Sequence, residues 1–290
     1  MFGVLNLNKP EGVTSRQVVN RVKRLVHPVK LGHTGTLDPM ATGVLPVCLG
    51  RATRLIPLLQ KASKVYEAEF ILGQTSNTDD CTGDVISTEG VMPVPTEHVT
   101  AALTAFQGKI TQVPPDFSAV KVNGQRAYAR ARRGEDFELR EKTVCINGIE
   151  LLEYSWPTIR LRVTCGSGTY IRSIARDLGA SLGCGGLMSD LVRTATSGLQ
   201  LQNSVDPETL TAANLQSLIV NPVSLVTDQL DVLHRCSDED QVLVSRGRTI
   251  TNLQSSEDGA TVGFLSSDGA TLLALGEVAG SMLQPRSVFI

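Results

Sequence analysis

Apolar positions recur along the chain with two periods, and the switches between them mark its elements. Residues 4–8 (VLNLN) predict a short strand, and the turn NKPEGVTS leads into residues 15–26. There Val18, Val19, Val22, Leu25 and Val26 return at helical spacing, with Ser15 as the expected N-cap. Residues 44–49 read as a buried turn, and RATRLIPLLQ as the helix after it. Residues 64–73 alternate with period two, which sets Tyr66, Ala68 and Phe70 on one strand face and Val65, Glu67 and Glu69 on the other. Residues 96–106 predict a helix capped by Thr96, with Val99, Leu103 and Phe106 inward. Two β-branched runs, 145–156 and 158–166, predict strands. GSGTYIRSIARDLG then turns through glycines into a helix whose inward face carries Ile171, Ile174, Ala175 and Leu178. Arg172 and Arg176 lie four apart and so share one side of it. Residues 205–230 read as a helical connector broken at Pro207 and Pro222. From about residue 232 the pattern becomes short strands separated by GRT, DGA, SSDGA and AGS, a small all-β module.

Composition narrows the class. Of 290 residues, 41% are hydrophobic and 19% charged, the balance of an ordinary globular protein. No run approaches the roughly 18 apolar residues of a membrane span, and MFGVLNLNKPEG lacks the layout of a signal peptide, so a cytoplasmic protein is expected. The six cysteines are scattered, with no Cys-x-x-Cys pair, which argues against a zinc site or a disulfide framework. TSNTDDCTGD is rich in carboxylates but fails the spacing of a calcium-binding loop. No metal and no cofactor are expected.

The net charge of −2 conceals an asymmetry: residues 1–204 carry a balance of +5, and residues 205–290 one of −7. A bound polyanion would lie against the first two thirds. Cations concentrate in residues 114–142, where Lys121, Arg126, Arg130, Arg132, Arg133, Arg140 and Lys142 interleave with Phe117, Tyr128 and Phe137. Basic groups among aromatics on a projecting segment suit an arm that grips phosphates and stacks on bases; a solvated helix packed on the core is the alternative.

Residues 30–50, KLGHTGTLDPMATGVLPVCLG, stand out for polar density. Gly32, Gly35 and Gly43 punctuate Thr34, Thr36 and Thr42, and His33 and Asp38 are the ionisable groups of the glycine-rich part. That composition suits a tight polar loop rather than a core element. Asp38-Pro39 also has the form of a helix start, with Asp as cap and Pro at the first helical position. The local pattern supports both a site and a cap.

Five separated blocks, in order, give the chain a close resemblance to bacterial tRNA pseudouridine synthases of the TruB type. They are NLNKPEGVTS, KLGHTGTLDPMATGVLP, KVYEAEFILG, PPDFSAVKVNGQRAYARAR and GTYIRSIARDLG. The resemblance implies an α+β fold: a catalytic domain at residues 1–230 with a mixed, largely antiparallel sheet flanked by helices and an RNA-gripping insertion at 114–142, then a PUA-like all-β module at 231–290. It places Asp38 at the catalytic aspartate and Tyr66 at the tyrosine that stacks on the target base. Arg172 matches the arginine that pairs with the aspartate, Leu191 the apolar residue under the uracil, and His33 the residue that fills the gap left by an extruded nucleotide. Tyr170, Lys121, Arg130 and Arg132 fall in segments that contact substrate or RNA, and Lys9 and Pro10 at positions that support the loop. Phe117 departs from the tyrosine usual in its block, so a hydroxyl contact made there in relatives is not expected here.

The implied reaction converts uridine to pseudouridine in the T loop of tRNA, at uridine 55. It breaks the N1–C1′ bond, turns the uracil and joins C5 to C1′, with no net oxidation. An ionised aspartate can add at C6, attack C1′ or remove the C2′ proton, and its ordinary pKa of about 3.9 favours ionisation. A base held outside the stack needs a flat aromatic, an apolar shelf and a plug, the types of Tyr66, Leu191 and His33. The expected partner is the T arm of tRNA, met by a monomer with no obligate protein partner and no membrane. A non-catalytic RNA-binding protein on the same scaffold would dispense with Asp38 and Arg172. A dyskerin-like subunit guided by another RNA would bring protein partners and basic tails, which the expected chain, from three residues before its first strand to SVFI, lacks.

Overall fold

Strand β1 (Phe2–Lys9) buries Val4, Leu5 and Leu7 completely, and the turn after it delivers Thr14 to the start of helix α1 (Ser15–Val26). Thr14, not Ser15, caps this helix: its hydroxyl accepts the Gln17 N–H, and Gln17 Oε1 accepts the Thr14 N–H at 2.7 Å, a reciprocal capping box. Ser15 is instead buried and bonded elsewhere. The predicted stripe faces inward, with Val18, Val19, Val22 and Val26 buried, while Lys23 and Arg24 occupy the last turn, where the helix dipole favours cations. β2 (Leu31–His33) follows, and the segment after it starts no helix at Asp38-Pro39. The chain bends at Pro39 and Met40 and enters β3 (Thr42–Gly50), so residues 44–49 form a strand rather than a turn. Their unbroken apolar run is that of a strand covered on both faces, which periodicity alone does not separate from a buried turn. A 3-10 turn (Arg51–Leu55) then leads to α2 (Ile56–Lys61).

The middle of the chain holds β4 (Lys64–Leu72), the hairpin β5 (Gln74–Ser76) with β6 (Val85–Ser87), α3 (Thr96–Thr104) and β7 (Gly108–Gln112). The N-cap of α3 is Pro95, and Thr96 caps nothing. The arm follows as a small hairpin, β8 (Lys121–Val122) and β9 (Gln125–Arg126), and a short helix α4 (Ala127–Ala131). Then come β10 (Lys142–Ser155), β11 (Thr158–Cys165), α5 (Ile171–Ser181) and β12 (Gly186–Thr196). The strands pair antiparallel in the order β12-β4-β11-β10-β7. β4 buries Lys64, Tyr66, Ala68, Phe70 and Leu72 on one face, as its alternation predicted. α5 packs so closely beside the following turn that a Cβ on Gly179 would fall inside the backbone of Gly185 and Gly186.

The last segment contains β13 (Leu199–Gln200), β14 (Ile219–Val220) and α6 (Val223–Val226). The predicted connector is thus not a broken long helix: Pro207 opens a 3-10 turn and Pro222 precedes α6, each where a missing N–H costs nothing. Next are β15 (Val232–Arg235), α7 (Asp238–Ser245), β16 (Ile250–Thr251), β17 (Thr261–Leu265), β18 (Leu272–Ala279) and β19 (Met282–Val288). The last five strands form a separate sheet, β15-β17-β18-β19-β16, and among the described residues β15–β17 is its one parallel pair.

The structure is a computed structural model in which residues 1–252 and 256–290 are described. They divide into two compact units, Met1–Pro39 with Gly43–Ala62 and Ser197–Ile290, and Met40–Thr42 with Ser63–Thr196. In the first, β14, β1 and β3 pair antiparallel with β2 on β3, and the C-terminal sheet shares the core: Leu265, Leu272 and Phe289 cluster with Val4, Cys48 and Leu55. The rings of Phe2 and Phe289 lie 5.3 Å apart, and Arg51 and Arg54 donate to the Phe289 and Val288 carbonyls. Each unit combines antiparallel sheet with flanking helices, the expected α+β class. Among the described residues, no helix is long and apolar enough to cross a membrane.

Candidate active site

In the first unit, the polar loop is fixed through the two neighbours of Asp38. Ser15, buried at the start of α1, accepts the Leu37 N–H at 2.9 Å and donates its hydroxyl to the Leu37 carbonyl at 3.1 Å. On the other side the Pro39 carbonyl accepts the Gly12 N–H at 2.8 Å and the Lys9 Nζ at 3.0 Å. Leu37 is buried, Pro39 exposed, and Asp38 half-buried between them. A half-exposed carboxylate held at both flanking peptides loses little further freedom when it meets a substrate, which is the requirement for a positioned reactive group.

Lys9 is fully buried, with Nζ also donating to the Pro10 carbonyl at 2.8 Å. Burial pushes its pKa down to about 8, against the opposing negative charges of Asp38 and Glu11. Its field therefore acts on Asp38 while its hydrogen bonds hold the peptide beside it. His33 lies on β2 opposite Val47.

In the second unit, Tyr66, Leu191 and Arg193 share one sheet face. Leu191 on β12 pairs with Ala68 on β4, and Arg193 with Tyr66, so the tyrosine ring and the leucine are diagonal neighbours. All three side chains are buried, as is Lys64 at the head of the same face. Lys64 has its pKa lowered by burial first and by the charge of Arg193 second. Arg193 and Lys64 escaped the sequence reading. Their signal was parity: Arg193 stands two residues from Leu191, and Lys64 two from Tyr66, which puts charges on the face assigned to the core.

Arg172, on the first turn of α5, is 5% exposed and makes contacts the sequence did not suggest. Nη1 donates to the Thr78 carbonyl at 2.9 Å and lies 3.5 Å from Asp80 Oδ2, and Nη2 donates to the Phe117 carbonyl at 3.1 Å. Asp80 is itself buried and accepts from the Thr78 and Thr82 hydroxyls and the Thr82 N–H. The turn TSNTDDCTGD, which fails as a calcium loop, thus supplies a carboxylate to the arginine. Next to it, Asp79 pairs with Arg176 at 2.8 Å; burial raises the Asp79 pKa, and the Arg176 and Arg172 charges oppose the rise. Tyr170 is the N-cap residue of α5, its backbone N–H and carbonyl both bonded to the Gln112 amide.

The remaining predicted residues sit on the arm. Lys121 is on β8, Arg130 on α4, and Arg132 just beyond it. Glu135 receives Arg130 Nε at 2.7 Å and Arg133 Nε at 2.5 Å, and these bonds, Arg133 first, hold its carboxyl below the usual range. Arg130 stacks 5.0 Å over Phe137 and Arg132 5.8 Å over Tyr128.

Residues 23–171 match the family described as TruB family pseudouridylate synthase, N-terminal domain. A protein of Clostridium kluyveri named tRNA pseudouridine synthase B is 40% identical over 256 residues, which cover 85% of this chain and 88% of that one. One of Dehalococcoides mccartyi with the same name is 48% identical over 213 residues, 73% of this chain and 71% of the relative. Among solved structures, a chain in a crystal structure of a Cbf5-Nop10-Gar1 complex superposes with a TM-score of 0.77 at 27% identity, covering 100% of this chain and 85% of that chain. With the family match spanning half of the sequence and these relatives most of it, the chain belongs to the TruB family of pseudouridylate synthases.

Proposed function

We propose that this protein isomerises uridine 55 in the T loop of tRNA to pseudouridine, with the flipped-out base received by its second unit. The observation that carries the reading is the loop at Asp38: a half-exposed carboxylate with both neighbouring peptides tied down by Ser15, Gly12 and Lys9, in a chain 40% identical to a named tRNA pseudouridine synthase B over most of its length. Asp38 is the reacting group, adding to the uracil or attacking the ribose. Tyr66 stacks on the extruded base, Leu191 forms the shelf beneath it, and His33 fills the gap in the RNA. Arg172 supplies positive charge to the reaction, and its own position is set by Asp80. A flat ring and an apolar side chain on adjacent strands of one sheet suit a base that is gripped by its faces and must turn in place.

Tyr170 contacts the substrate from the start of α5. Lys121, Arg130 and Arg132 meet RNA phosphates, and Tyr128 and Phe137 offer faces to bases or to the arginines. The enzyme works as a cytoplasmic monomer without an obligate protein partner. It uses no cofactor, since the isomerisation exchanges one bond at C1′ for another.

The test is tritium release from a T-arm transcript labelled at C5 of uridine. The wild-type chain should release label stoichiometrically with the target uridine, and a transcript with cytidine at position 55 should release none. Binding of the transcript without release would overturn the catalytic reading in favour of an RNA-binding protein.

A further inference from the structure

α5 carries two arginines one turn apart, and both reach the same two segments of the second unit. Arg172 bonds the Thr78 carbonyl, faces Asp80, and bonds the Phe117 carbonyl. Arg176 pairs through Nη1 with Asp79 at 2.8 Å, and its Nη2 donates to the Val113 carbonyl at 2.9 Å. The two guanidinium groups thus form parallel clasps between the turn at 78–80 and the root of the arm at 113–117.

Other bonds tighten the second clasp. Ser173 Oγ donates to the same Val113 carbonyl at 2.9 Å, and Gln112 is bonded to both backbone groups of Tyr170. Arg176 Nε is held by Asp177 at 2.9 Å, which fixes the plane of the guanidinium. On the turn, Asp79 takes the left-handed conformation, φ 59°, and this geometry lets consecutive carboxylates reach different arginines. The Asp79 carbonyl accepts the Met188 N–H at 3.0 Å, so the turn is also tied to β12. Pro114 and Pro115, with fixed φ, stiffen the root between the two clasped carbonyls.

We propose that Arg176 is a positioning residue for pseudouridine formation: with Asp79, it locks the turn that presents Asp80 and the root of the arm into one body with Arg172, so RNA held by the arm sets the Arg172 guanidinium. This inference rests on the functional reading above. Arg176 does not touch the reacting atoms; it acts through Asp79 and Val113 on the partners of Arg172. Its neighbour Arg172 holds the catalytic contact, so the two arginines share a helix face and divide the work.

Single-turnover tritium release at saturating T-arm transcript, with binding and thermal unfolding measured on the same samples, tests it. Arg176→Lys keeps the charge opposite Asp79 and loses the fork to Val113 and Asp177. It should lower the rate at saturation about tenfold while the transcript Kd changes less than twofold. Asp79→Asn should do the same, and the double variant should be no slower than the slower single one, because both act through one contact. A purely structural role would move the unfolding temperature and leave the saturated rate alone. Rates within twofold of wild type, or losses that multiply in the double variant, would overturn the proposal. Should Arg176→Lys fail to fold, Asp79→Asn, which removes one charge and no volume, carries the same test against the saturated rate. An inactive wild type would overturn the functional reading, and the inference with it; an active wild type with unaffected variants would overturn the inference alone.

Discussion

The loop around Asp38 and the arm at 114–142 are both polar, and they are held in opposite ways. At the loop, each constraint joins groups distant in sequence: Ser15 to Leu37, Gly12 and Lys9 to Pro39. The arm beyond its root is held largely by itself, with Arg130 and Arg133 on Glu135, Arg126 on the Ala119 carbonyl, and Arg132 over its own Tyr128. Exposed ion pairs of that kind are weak and readily exchanged. One region fixes a carboxylate within a small tolerance, and the other keeps its cations exchangeable; under the proposed function, phosphates would replace Glu135. The proposed chemistry calls for the first, and the proposed grip on an irregular polyanion for the second.

The comparison breaks most severely where a buried contact loses one partner. Asp80→Ala removes a buried carboxylate 3.5 Å from the Arg172 guanidinium and should lower the unfolding free energy by about 3 kcal/mol in urea titrations. Tritium release should fall with it. An unchanged unfolding midpoint would mean that the other partners of Arg172 satisfy it without Asp80. Ser15→Ala removes the hydroxyl that serves both Leu37 groups; the orphaned N–H should cost about 1–3 kcal/mol of stability and slow release at saturating transcript. Preserved stability and rate would show that the Leu37 tie does not position Asp38.

On the arm, Arg130→Ala or Arg132→Ala should weaken transcript binding a few-fold and reduce the slope of log K against log salt by about 1, with the saturated rate kept. An unchanged slope would return the arm to a solvated segment.

A further effect, read through pH, concerns Lys9. Its folded pKa of about 8 lies below the unfolded value of 10.5, so between those values the unfolded chain binds the extra proton. Stability contributed by this group therefore rises as pH increases from 8 towards 10.5. The difference in unfolding free energy between wild type and Lys9→Met should grow in favour of wild type between pH 8 and 10. A difference independent of pH would place the lysine in a wetter site.

Much of this was legible in the sequence where local rules decide. The alternation of β4 put Tyr66 on the buried face, and the spacing of α5 put Arg172 and Arg176 together. What failed was local preference overruled at long range. Asp38-Pro39 has the form of a helix start, yet the Pro39 carbonyl bonds Gly12 and Lys9 from a different part of the chain, and the segment runs on into β3. Thr14 took the cap from Ser15 because Ser15 was needed at Leu37. Asp80 stayed hidden because its role exists only once the turn at 78–80 meets α5, a contact between residues 92 apart in number. Arg193 and Lys64 are legible only in parity, against the expectation that a charge on a core face is rare.

Under the proposed function, the pinned loop performs the chemistry while the arm supplies grip. Single-turnover tritium release by Asp38→Asn, followed at transcript concentrations well above Kd and beside wild type, tests it most directly. The variant should bind with wild-type affinity and release label roughly 10³-fold more slowly, or slower still. Release by Asp38→Asn at the wild-type rate would contradict it.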